Sequence, residues 1–522
     1  MKRRMVSALL TVCMMGTLLT GCGGNEQSAG ETSANAASET GGTGDEEIVT
    51  LKWYMSLPNV AADTDQVIAA LNEYTREKIG VEIEYMPMAD SEYMEKMPTY
   101  INSGEDFDIC FTANWSTDYL QFAQRDAFLD ISQLLPEYGK ETWELIPEQL
   151  WKAVTVNGAI YGVPSYKEMG RQGGIYVNSE MAEAYGIDLT KIKTLDDYTE
   201  VLKTVSEKSK AENKKVIGIS GLSNGFGIIT PYEGLVGNSP GVSAVAEYGL
   251  FTDQPEVFNQ YASQEYMDYC KTVYEWNKAG YLPADPINYD QDTANRDNDF
   301  ANGTLFSHII SYAPGAAESA AALYGHEVTF VPLMTPLLET RNGLGGLLAV
   351  SSGSKHPEKA VEFLNLLNTD EYVGTLIRHG IEGTHYSAVG DTQVDKTMGG
   401  TLAAEDNGYD YTFGWQFGSP FNQKWDISYP ENIEDLFLAY NESAVTGPHV
   451  GFTFDSSNVN TEISALTNIV EQYDAALQSG MVNPEEKIPE FLEALKANGV
   501  DNLLKEIQTQ LDAWKADQKS ES

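Results

Sequence analysis

Strands and helices alternate near the start of the folded part of this chain, and that order restricts the fold more than any other feature. Apolar strands are predicted at 48–55, 81–85 and 108–112, with amphipathic helices at about 64–79 and 91–103 between them. Strands that are joined through helices run parallel, because a tight turn can only connect antiparallel neighbours. The sequence therefore predicts an α/β fold with a parallel sheet covered by helices.

Aromatic residues follow two of these strands, at the ends where open sheets of this kind bind ligands. Tyr54 lies at the end of the first strand, and Asn114 and Trp115 follow the third. A single aromatic side chain is more often buried in a core, and this alternative stays open for both rings. Polar neighbours on each side of Trp115 favour a ligand-binding role there. We predict ligand contacts for all three residues.

A short segment at 157–165 separates this region from a second one. Its sequence, Asn-Gly-Ala-Ile-Tyr-Gly-Val-Pro-Ser, combines a glycine turn with an apolar strand that Pro164 ends. Tyr166 and Arg171 follow at once, before a new strand at 175–177. The segment is either an ordinary β-hairpin or a flexible crossing beside a binding cleft, and the polar and aromatic residues that follow favour the crossing.

The strand and helix pattern repeats after this crossing, which indicates a second α/β lobe. The predicted elements are helices at 179–185, 194–208 and 263–279 and a strand at 216–220. A glycine-rich strand at 343–352 indicates another crossing, followed by a helix at 361–367. Three amphipathic helices end the chain, predicted at 461–477, 484–496 and 501–514.

Four segments resemble the extracellular solute-binding proteins of ABC importers, the maltose-binding-protein-like family. The segment 157–164 is similar to the family's Asn/Asp-Gly-x-x-Tyr-Gly-hydrophobic-Pro crossing. Residues 300–306 (Phe-Ala-Asn-Gly-Thr-Leu-Phe) resemble its step into a buried strand. Residues 355–360 resemble a helix start of the family, with Lys-His in place of the usual small polar pair. Residues 380–386, Gly-Ile-Glu-Gly-Thr-His-Tyr, resemble a signature of one lipoprotein subfamily.

The resemblance implies a two-lobe, periplasmic-binding-protein-like fold with hinge crossings and added C-terminal helices. It implies that Tyr312, at the end of the strand after 300–306, forms a wall of the cleft. Glu382 and His385 are then either ligand contacts or a structural pair within their loop.

The predicted division of the chain follows from these segments. It comprises a signal peptide at 1–21, a flexible tether at 22–47, lobe 1 at 48–163 plus about 346–400, lobe 2 at 164–345 plus about 401–455, and C-terminal helices at 456–522 packed on the lobes.

The first residues have the composition of a secretory signal. Three basic residues precede an apolar run at 5–19 that is too short to span a membrane comfortably. Leu-Thr-Gly-Cys at 19–22 resembles the bacterial lipobox, which implies cleavage before Cys22 and diacylation of its sulfur. An ordinary secretory signal is the alternative. Residues 23–47 lack aromatic side chains and predict a flexible tether.

This organisation places the protein at the outer face of a bacterial cytoplasmic membrane, with a Gram-positive cell preferred and lipid as its only membrane contact. The formal net charge of −44 disfavours nucleic acid as a partner. We expect a monomer without metal or other cofactor. Cys110 and Cys270, which lie in apolar contexts, are interpreted as two buried thiols rather than as one disulfide.

Catalytic patterns are weak in this sequence. Gly-Leu-Ser-Asn-Gly at 221–225 has the spacing of a serine-hydrolase elbow, but the residues after it are poor helix material. The four aspartates between 290 and 299 lack the glycine and closing glutamate of a calcium loop. The histidines show no His-Glu-x-x-His spacing. We therefore expect a binding protein and not an enzyme.

Aromatic residues make up 11% of the chain, and this favours a carbohydrate ligand, whose rings stack on aromatic faces. The predicted walls are Trp115, Tyr166, Tyr312 and Trp415, and the predicted polar contacts are Asn114, Arg171 and Glu382. The arginine leaves a peptide ligand open, because a guanidinium pairs well with a carboxylate. The preferred function is delivery of an oligosaccharide to ABC permease subunits. An extracellular sensor and a glycan hydrolase are the alternatives.

Cys22→Ser tests the lipid anchor. Without its sulfur the chain has no acylation site, so we expect it to leave the membrane fraction and appear in the medium or periplasm. Membrane fractionation with a blot against the chain measures this. Retention of the variant on membranes would rule out the anchor, and Cys110→Ser serves as the cysteine control.

Overall fold

A computed structural model describes residues 48–235, 246–249, 257–403, 406–411 and 414–521. The predicted signal sequence, Cys22 and the tether lie outside these residues. The described residues belong to one structural unit.

The strands are short apart from the first two. They are β1 (Val49–Leu57), β2 (Val81–Ala89), β3 (Ile109–Thr112), β4 (Thr155–Val156), β5 (Ala159–Ile160), β6 (Gly162–Pro164), β7 (Gly173–Asn178), β8 (Tyr232–Gly234), β9 (Ala246–Gly249), β10 (Phe258–Asn259), β11 (Ser307–Ser311), β12 (Val328–Pro332), β13 (Leu337–Leu338), β14 (Leu347–Val350), β15 (Ser387–Val389), β16 (Gln393–Asp395), β17 (Trp425–Asp426) and β18 (Val445–Thr446).

Helices account for most of the regular structure. They are α1 (Thr64–Ile79), α2 (Asp90–Ser103), α3 (Tyr119–Ala123), α4 (Leu135–Tyr138), α5 (Lys140–Leu145), α6 (Glu148–Val154), α7 (Ser179–Tyr185), α8 (Leu195–Ala211), α9 (Gly225–Ile229), α10 (Gln264–Ala279), α11 (Pro286–Gln291), α12 (Thr293–Ala301), α13 (Ala316–Tyr324), α14 (Thr340–Gly343), α15 (Pro357–Thr369), α16 (Glu371–His379), α17 (Ile433–Ser443), α18 (Asn460–Gln478), α19 (Pro484–Ala497) and α20 (Val500–Glu521).

Buried apolar side chains form two large cores, and each core defines a lobe. Lobe 1 surrounds a core drawn from residues within 51–169 and 338–417, together with Val450. Lobe 2 surrounds a core drawn from 175–331 and 452–511. The two-lobe α/β fold predicted from the sequence is therefore confirmed.

The lobe 1 sheet has the strand order β2-β1-β3-β14-β6. β2 and β3 pair in parallel with β1, as the alternation of strands and helices predicts. β14 and β6 add an antiparallel edge, with β14 paired to both β3 and β6. The prediction of a parallel sheet therefore holds for β1, β2 and β3 but not for β14, which belongs to a segment that returns from lobe 2.

Of the two structures considered for the segment at 157–165, the segment contains the hairpin, and the crossing to lobe 2 follows it within 169–175. β4 and β5 form a hairpin around Asn157 and Gly158, whose φ angles are 52° and 82°. Two consecutive residues with positive φ are what a two-residue hairpin turn requires. β6 then enters the lobe 1 sheet directly before the chain passes to lobe 2.

Lobe 2 contains a three-stranded antiparallel sheet, β11-β7-β12. The predicted helices of this lobe are present, and α8 begins with a capping box between Thr194 and Asp197. The prediction of a strand at 216–220 is wrong, because these residues do not form a continuous strand. Ile217 and Ser220 each make an isolated bridge to the segment that contains β11. The backbone N–H of Gly218 donates to the carbonyl of Tyr281 instead of to a neighbouring strand.

Three helices, α18, α19 and α20, end the described chain and pack into the lobe 2 core. Asp474 of α18 is buried at this contact and accepts hydrogen bonds from Tyr266 at 2.6 Å and from Gln478 at 2.8 Å. Burial raises the pKa of the Asp474 carboxyl, and these donors oppose that effect. The helices therefore complete lobe 2 rather than cover it from outside.

The predicted division assigned 401–455 to lobe 2, and the structure differs for part of that range. Tyr409, Tyr411 and Phe417 pack in the lobe 1 core. Trp425, Ile433 and Phe437 form a small third cluster. These side chains follow a long irregular segment. The lobe to which they belong is set by packing against residues that are distant in the sequence.

The chain passes between the cores within 169–175, 331–338 and 450–452. The segments at these passages are hydrogen-bonded to one another. Arg171 and Leu337 exchange backbone hydrogen bonds of 2.8 and 2.9 Å, and β13 pairs in parallel with β18. The ribbon that joins the lobes has three parts, residues 167–175, 331–341 and 445–452, which are called the first, second and third hinge segments. Such a ribbon is the arrangement expected of a hinge.

Glu339 holds two of these segments together with its charge. It is fully buried and pairs with Arg171 at 3.0 Å and with Arg341 at 2.8 Å. Burial alone would raise the pKa of the Glu339 carboxyl, but the two guanidinium groups outweigh it and the pKa lies below its usual value. The carboxylate is therefore ionised at neutral pH.

The two free cysteines are confirmed as buried thiols. Cys110 lies in β3 and Cys270 in α10. Burial raises the pKa of each thiol, so neither forms a thiolate readily.

Glu339→Gln tests how much the buried carboxylate of Glu339 contributes to stability. The amide removes the negative charge that pairs with the Arg171 guanidinium, so we expect a loss of about 3–5 kcal/mol in the free energy of unfolding, measured with urea. Glu92→Gln breaks the exposed pair with Lys96, and we expect a much smaller loss from it, because water screens this pair. Equal losses in the two variants would contradict the assignment.

Candidate functional site

A cavity of about 530 Å³ lies between the lobes. Its size falls in the range of about 300–1,000 Å³ that small-molecule sites occupy. Lobe 1 contributes Arg378, His379, Tyr411 and Trp415 to its lining. Lobe 2 contributes Ala313, Pro314, Ala316 and Ser319. The third cluster contributes Trp425 and Phe437 with the adjacent Tyr429, and the first hinge segment contributes Lys167 and Glu168.

The last turn of α16 supplies two of these groups. Asp370 caps this helix by accepting from the backbone N–H of Val373 at 3.0 Å. Arg378 then donates to the carbonyls of Gly414, Gly374 and Ser419 at 2.8–3.1 Å. These bonds fix the turn that carries Trp415 against the end of α16.

Charged and polar groups at the cavity are held in pairs. Lys396 lies 2.5 Å from Asp410, and Lys167 pairs with Glu168. His379 lies 3.1 Å from the side-chain oxygen of Gln423. Burial, and secondarily the nearby cations, lowers the pKa of His379 to about 3, so this imidazole is neutral at physiological pH.

Arg378 keeps its charge although it is buried. Burial lowers the pKa of its guanidinium to about 9, which still leaves it protonated at neutral pH. The site therefore combines a buried cation, a neutral imidazole and two close ion pairs. Such a lining offers fixed hydrogen-bond donors and acceptors to a polar ligand.

Trp415 and Trp115, both predicted as walls, lie next to each other. Their ring centroids are 6.4 Å apart, and each packs on Phe111. The indole N–H of Trp115 donates to the carbonyl of Gly345 at 2.8 Å, which holds the ring in place while it remains 38% exposed. Trp415 lines the cavity, and Trp115 extends the aromatic surface beside it.

Tyr54 and Tyr166 lie in the lobe 1 core and not at the cavity. Tyr54 is 5% exposed and packs on Tyr100 and Phe107. The carboxyl half of β1 is buried on both faces, so the end of this strand offers no open surface. Tyr166 is 6% exposed and packs on Phe421. Both predictions as ligand walls are corrected to core positions.

Arg171 is also structural. Besides its ion pair with Glu339, its guanidinium donates to the carbonyls of Gly227, Ile228, Thr230 and Tyr232 at 2.9–3.2 Å. Its donors are therefore committed to the protein, and the prediction that it reads a ligand is corrected.

Asn114 and Tyr312 are half-buried at the edges of the lobes. The amide of Asn114 donates to the carbonyl of Arg341 at 3.1 Å, which ties it to the segment before β14. Tyr312 stacks on Phe330 with a centroid distance of 4.5 Å and also contacts Tyr440 of α17. One face of the Tyr312 ring is thus covered by its own lobe.

The segment 380–386 is a structured loop in which Glu382 and His385 are separate. Glu382 is exposed. His385 is buried; its Nδ1 accepts from the backbone N–H of Ile381 at 2.9 Å, and its Nε2 lies 3.2 Å from Asp63. With Nδ1 accepting, the proton lies on Nε2 and is donated to Asp63. The alternative that Glu382 and His385 form a structural pair is wrong, because the side-chain partner of His385 is Asp63.

Several cavity residues were not found from the sequence. Arg378 and His379 directly precede the loop that drew attention to Glu382 and His385. Trp425 belongs to a segment whose fold depends on distant contacts. The sequence contains one signal for these cavity residues, the aromatic composition around Tyr411. This signal led only to the prediction of Trp415.

Ser223 does not have the geometry of a nucleophile elbow. The residues after it do form a short helix, α9, contrary to our expectation. The backbone N–H groups of Gly221 and Ser223 donate to Asp290 at 2.7 and 2.9 Å, which gives the turn a structural explanation. Among the described residues, Ser223 is not one of the non-glycine positions with positive φ that a strained elbow would use.

Two features are absent from the described part of the chain. No group of three or more histidine, cysteine or acidic side chains there is arranged to hold a metal ion. No described helix combines the length and apolar character needed to cross a bilayer.

His385→Ala and Glu382→Ala, a pair within one loop, test these assignments. Removal of the imidazole leaves the Ile381 N–H and Asp63 without their partner, and we expect a loss of about 1–3 kcal/mol in the free energy of unfolding. Glu382→Ala is expected to change it by about 0.5 kcal/mol or less, since the side chain is exposed. Urea unfolding measures both losses. A larger loss for Glu382→Ala than for His385→Ala would contradict the assignments.

Similar proteins fall into two groups, relatives by sequence and solved structures. A carbohydrate ABC transporter substrate-binding protein of Streptococcus pneumoniae is 25% identical over 494 residues, which cover 91% of this chain and 93% of that protein. Lipoprotein LipO of Bacillus subtilis is 26% identical over 51% of this chain, and the match spans about half (49%) of LipO.

The N-glycan transport solute binding protein NgtS of S. pneumoniae has a similar fold. Its structure aligns with a TM-score of 0.76 at 24% identity and covers 89% of this chain and 98% of NgtS. A structure of NgtS in complex with Man5GlcNAc aligns with a TM-score of 0.65 at 25% identity, with the same two coverages.

Two family models match the chain. One, described as a domain of unknown function, matches residues 448–516. The other, described as bacterial extracellular solute-binding protein, matches residues 69–383, which is more than half of the chain. The chain belongs to the bacterial extracellular solute-binding protein family.

Proposed function

We propose that this protein captures an oligosaccharide in the cavity between its lobes and delivers it to the permease of an ABC importer. The lining of the cavity carries the proposal: the rings of Trp415, Trp425 and Tyr429 lie beside polar groups held in fixed positions. Sugar rings stack their C–H faces on aromatic rings, and their hydroxyls exchange hydrogen bonds with such polar groups.

The named relatives support a glycan ligand. The pneumococcal relative that aligns over nearly the whole chain is a carbohydrate substrate-binding protein. NgtS has been solved with Man1GlcNAc and with Man5GlcNAc. We therefore take glycans of mannose and N-acetylglucosamine as the first candidates.

Closure about the three-segment ribbon supplies the transport signal. A ligand shifts the open and closed populations only by its difference in affinity for them, so it must contact both sides of the cavity. Cys22 carries the lipid, and the tether at 23–47 holds a monomeric binding protein at the outer face of the membrane. No bond in the ligand is made or broken.

Among the predicted site residues, we assign ligand contacts to Trp415 and, beside it, Trp115. Asn114 and Tyr312 are assigned to the edge of the same cleft, where closure brings the lobes together. The peptide alternative rested on a free guanidinium at Arg171, and the commitment of that group to Glu339 and four carbonyls removes its support.

A thermal-shift screen of the secreted Cys22→Ser chain tests the function. The panel contains Man1GlcNAc, Man5GlcNAc, other neutral oligosaccharides, short peptides and polyamines. A ligand that binds only the folded state raises the melting temperature. A rise with glycans and unchanged glycan after overnight incubation supports the receptor. A rise with peptides alone, or the appearance of cleaved glycan, overturns it.

Trp415→Ala tests the site. If a sugar ring stacks on this indole, its loss weakens binding by about 1–3 kcal/mol, or roughly 5- to 150-fold in Kd, measured by calorimetry. Trp143→Ala is the matched control, since Trp143 is half-buried in the same lobe against Trp151. Equal affinity in wild type and Trp415→Ala would remove Trp415 from the site.

A further inference from the structure

Lys167 lies over the indole ring of Trp415. Its Nζ atom is 5.1 Å from the ring centroid, within the distance at which an ammonium is attracted to an aromatic face. Both side chains line the same cavity, and the Lys167 side chain is 24% exposed. The surface proposed for sugar stacking is therefore covered by a cation of the protein itself.

The remaining surroundings of Trp415 leave little room for a ligand elsewhere on the ring. Phe111 and Trp115 approach it with ring centroids 6.3 and 6.4 Å away, in edge orientations. Gly346 is so close that a Cβ at this position would lie 2.7 Å from Cζ3 of the indole. A ligand that stacks on Trp415 from the cavity consequently meets Lys167.

The main chain of Lys167 is fixed, and its side chain is the part that can move. Asn441 of α17 donates to the Lys167 carbonyl at 2.9 Å and accepts from the backbone N–H of Met169 at 2.8 Å. The ammonium pairs with Glu168, its neighbour in the chain. A lysine stem has several rotatable bonds, so the ammonium can leave the ring while the backbone stays bound to α17.

We propose that Lys167 is a specificity-determining residue that caps Trp415 and must be displaced by the ligand. This proposal rests on the glycan-binding function proposed above. Displacement costs the cation–π contact, and the freed ammonium needs new acceptors. A hydroxyl-rich sugar supplies a flat face for the indole and oxygen atoms for the ammonium, and these oxygen atoms offset part of the cost of displacement. A flat apolar compound supplies only the face and is rejected.

Lys167→Met tests the cap, because methionine keeps a flexible apolar stem and removes the charge. Two measurements are made on the secreted Cys22→Ser chain. The first is acrylamide quenching of tryptophan fluorescence without ligand, taken as the difference between each protein and its Trp415→Phe counterpart. The second is the Kd for Man5GlcNAc by calorimetry.

The expected result is stronger quenching of the Trp415 contribution and a Kd about threefold to tenfold lower, the size of a partly desolvated cation–π contact. Lys152→Met is the matched control. Lys152 lies 5.8 Å over the ring of Trp514, outside the cavity, and its replacement is expected to leave the Kd unchanged.

Lys167→Met also leaves Glu168 unpaired, and the double variant Lys167→Met, Glu168→Gln separates the two effects. The same gain in affinity is expected. Loss of the gain would assign the gain to the free carboxylate and overturn the proposal.

Unchanged quenching overturns the proposal whether or not Man5GlcNAc binds. Stronger quenching with equal or weaker binding shows that bonds from the ammonium to the ligand offset the whole cost of its displacement, so that Lys167 does not act as a cap, and also overturns the proposal. Failure of every glycan to bind wild type refutes the proposed function separately.

Discussion

The joint between the lobes depends on one buried carboxylate. Glu339 lies on the second hinge segment and pairs with Arg171 of the first. It also accepts from the backbone N–H of Gly234 at 2.8 Å. The residue before that glycine, Glu233, contacts His449 of the third segment at 2.7 Å. Three passages of the chain are thus connected through two neighbouring acidic groups.

This arrangement explains why the hinge is polar rather than apolar. A buried ion pair is costly to form, because both charges leave water, but it is directional once formed. Burial raises the pKa of the Glu233 carboxyl, and the contacts with His449 oppose that effect. The contacts of Glu339 and Glu233 fix which backbone segments meet.

Elements set by local chemistry were predictable from the sequence. Glycine stops at Gly80 and Gly104 end α1 and α2 with left-handed caps, as expected. Ser263 caps α10 through its hydroxyl. These signals involve residues a few positions apart, so a single sequence contains them in full.

Side-chain roles in the site were less predictable, because their partners are distant in sequence. The groups that bind the Arg171 side chain lie 56 to 168 positions away. Asp63, the partner of His385, is 322 positions away. Trp415 was found because aromatic residues cluster around it, whereas Tyr54 is also aromatic but is buried against Tyr100 and Phe107.

The small side chains of lobe 2 at the cavity have a consequence for how ligands are sorted. Ala313, Pro314, Ala316 and Ser319 face the larger aromatic and charged groups of the other side. Under the proposed function, a glycan meets its stacking and hydroxyl partners before lobe 2 arrives. Closure then depends mainly on the thickness and branching of what is already bound. Under that function, the aromatic and charged side of the cavity selects the chemical identity of the ligand, and lobe 2 then selects its bulk.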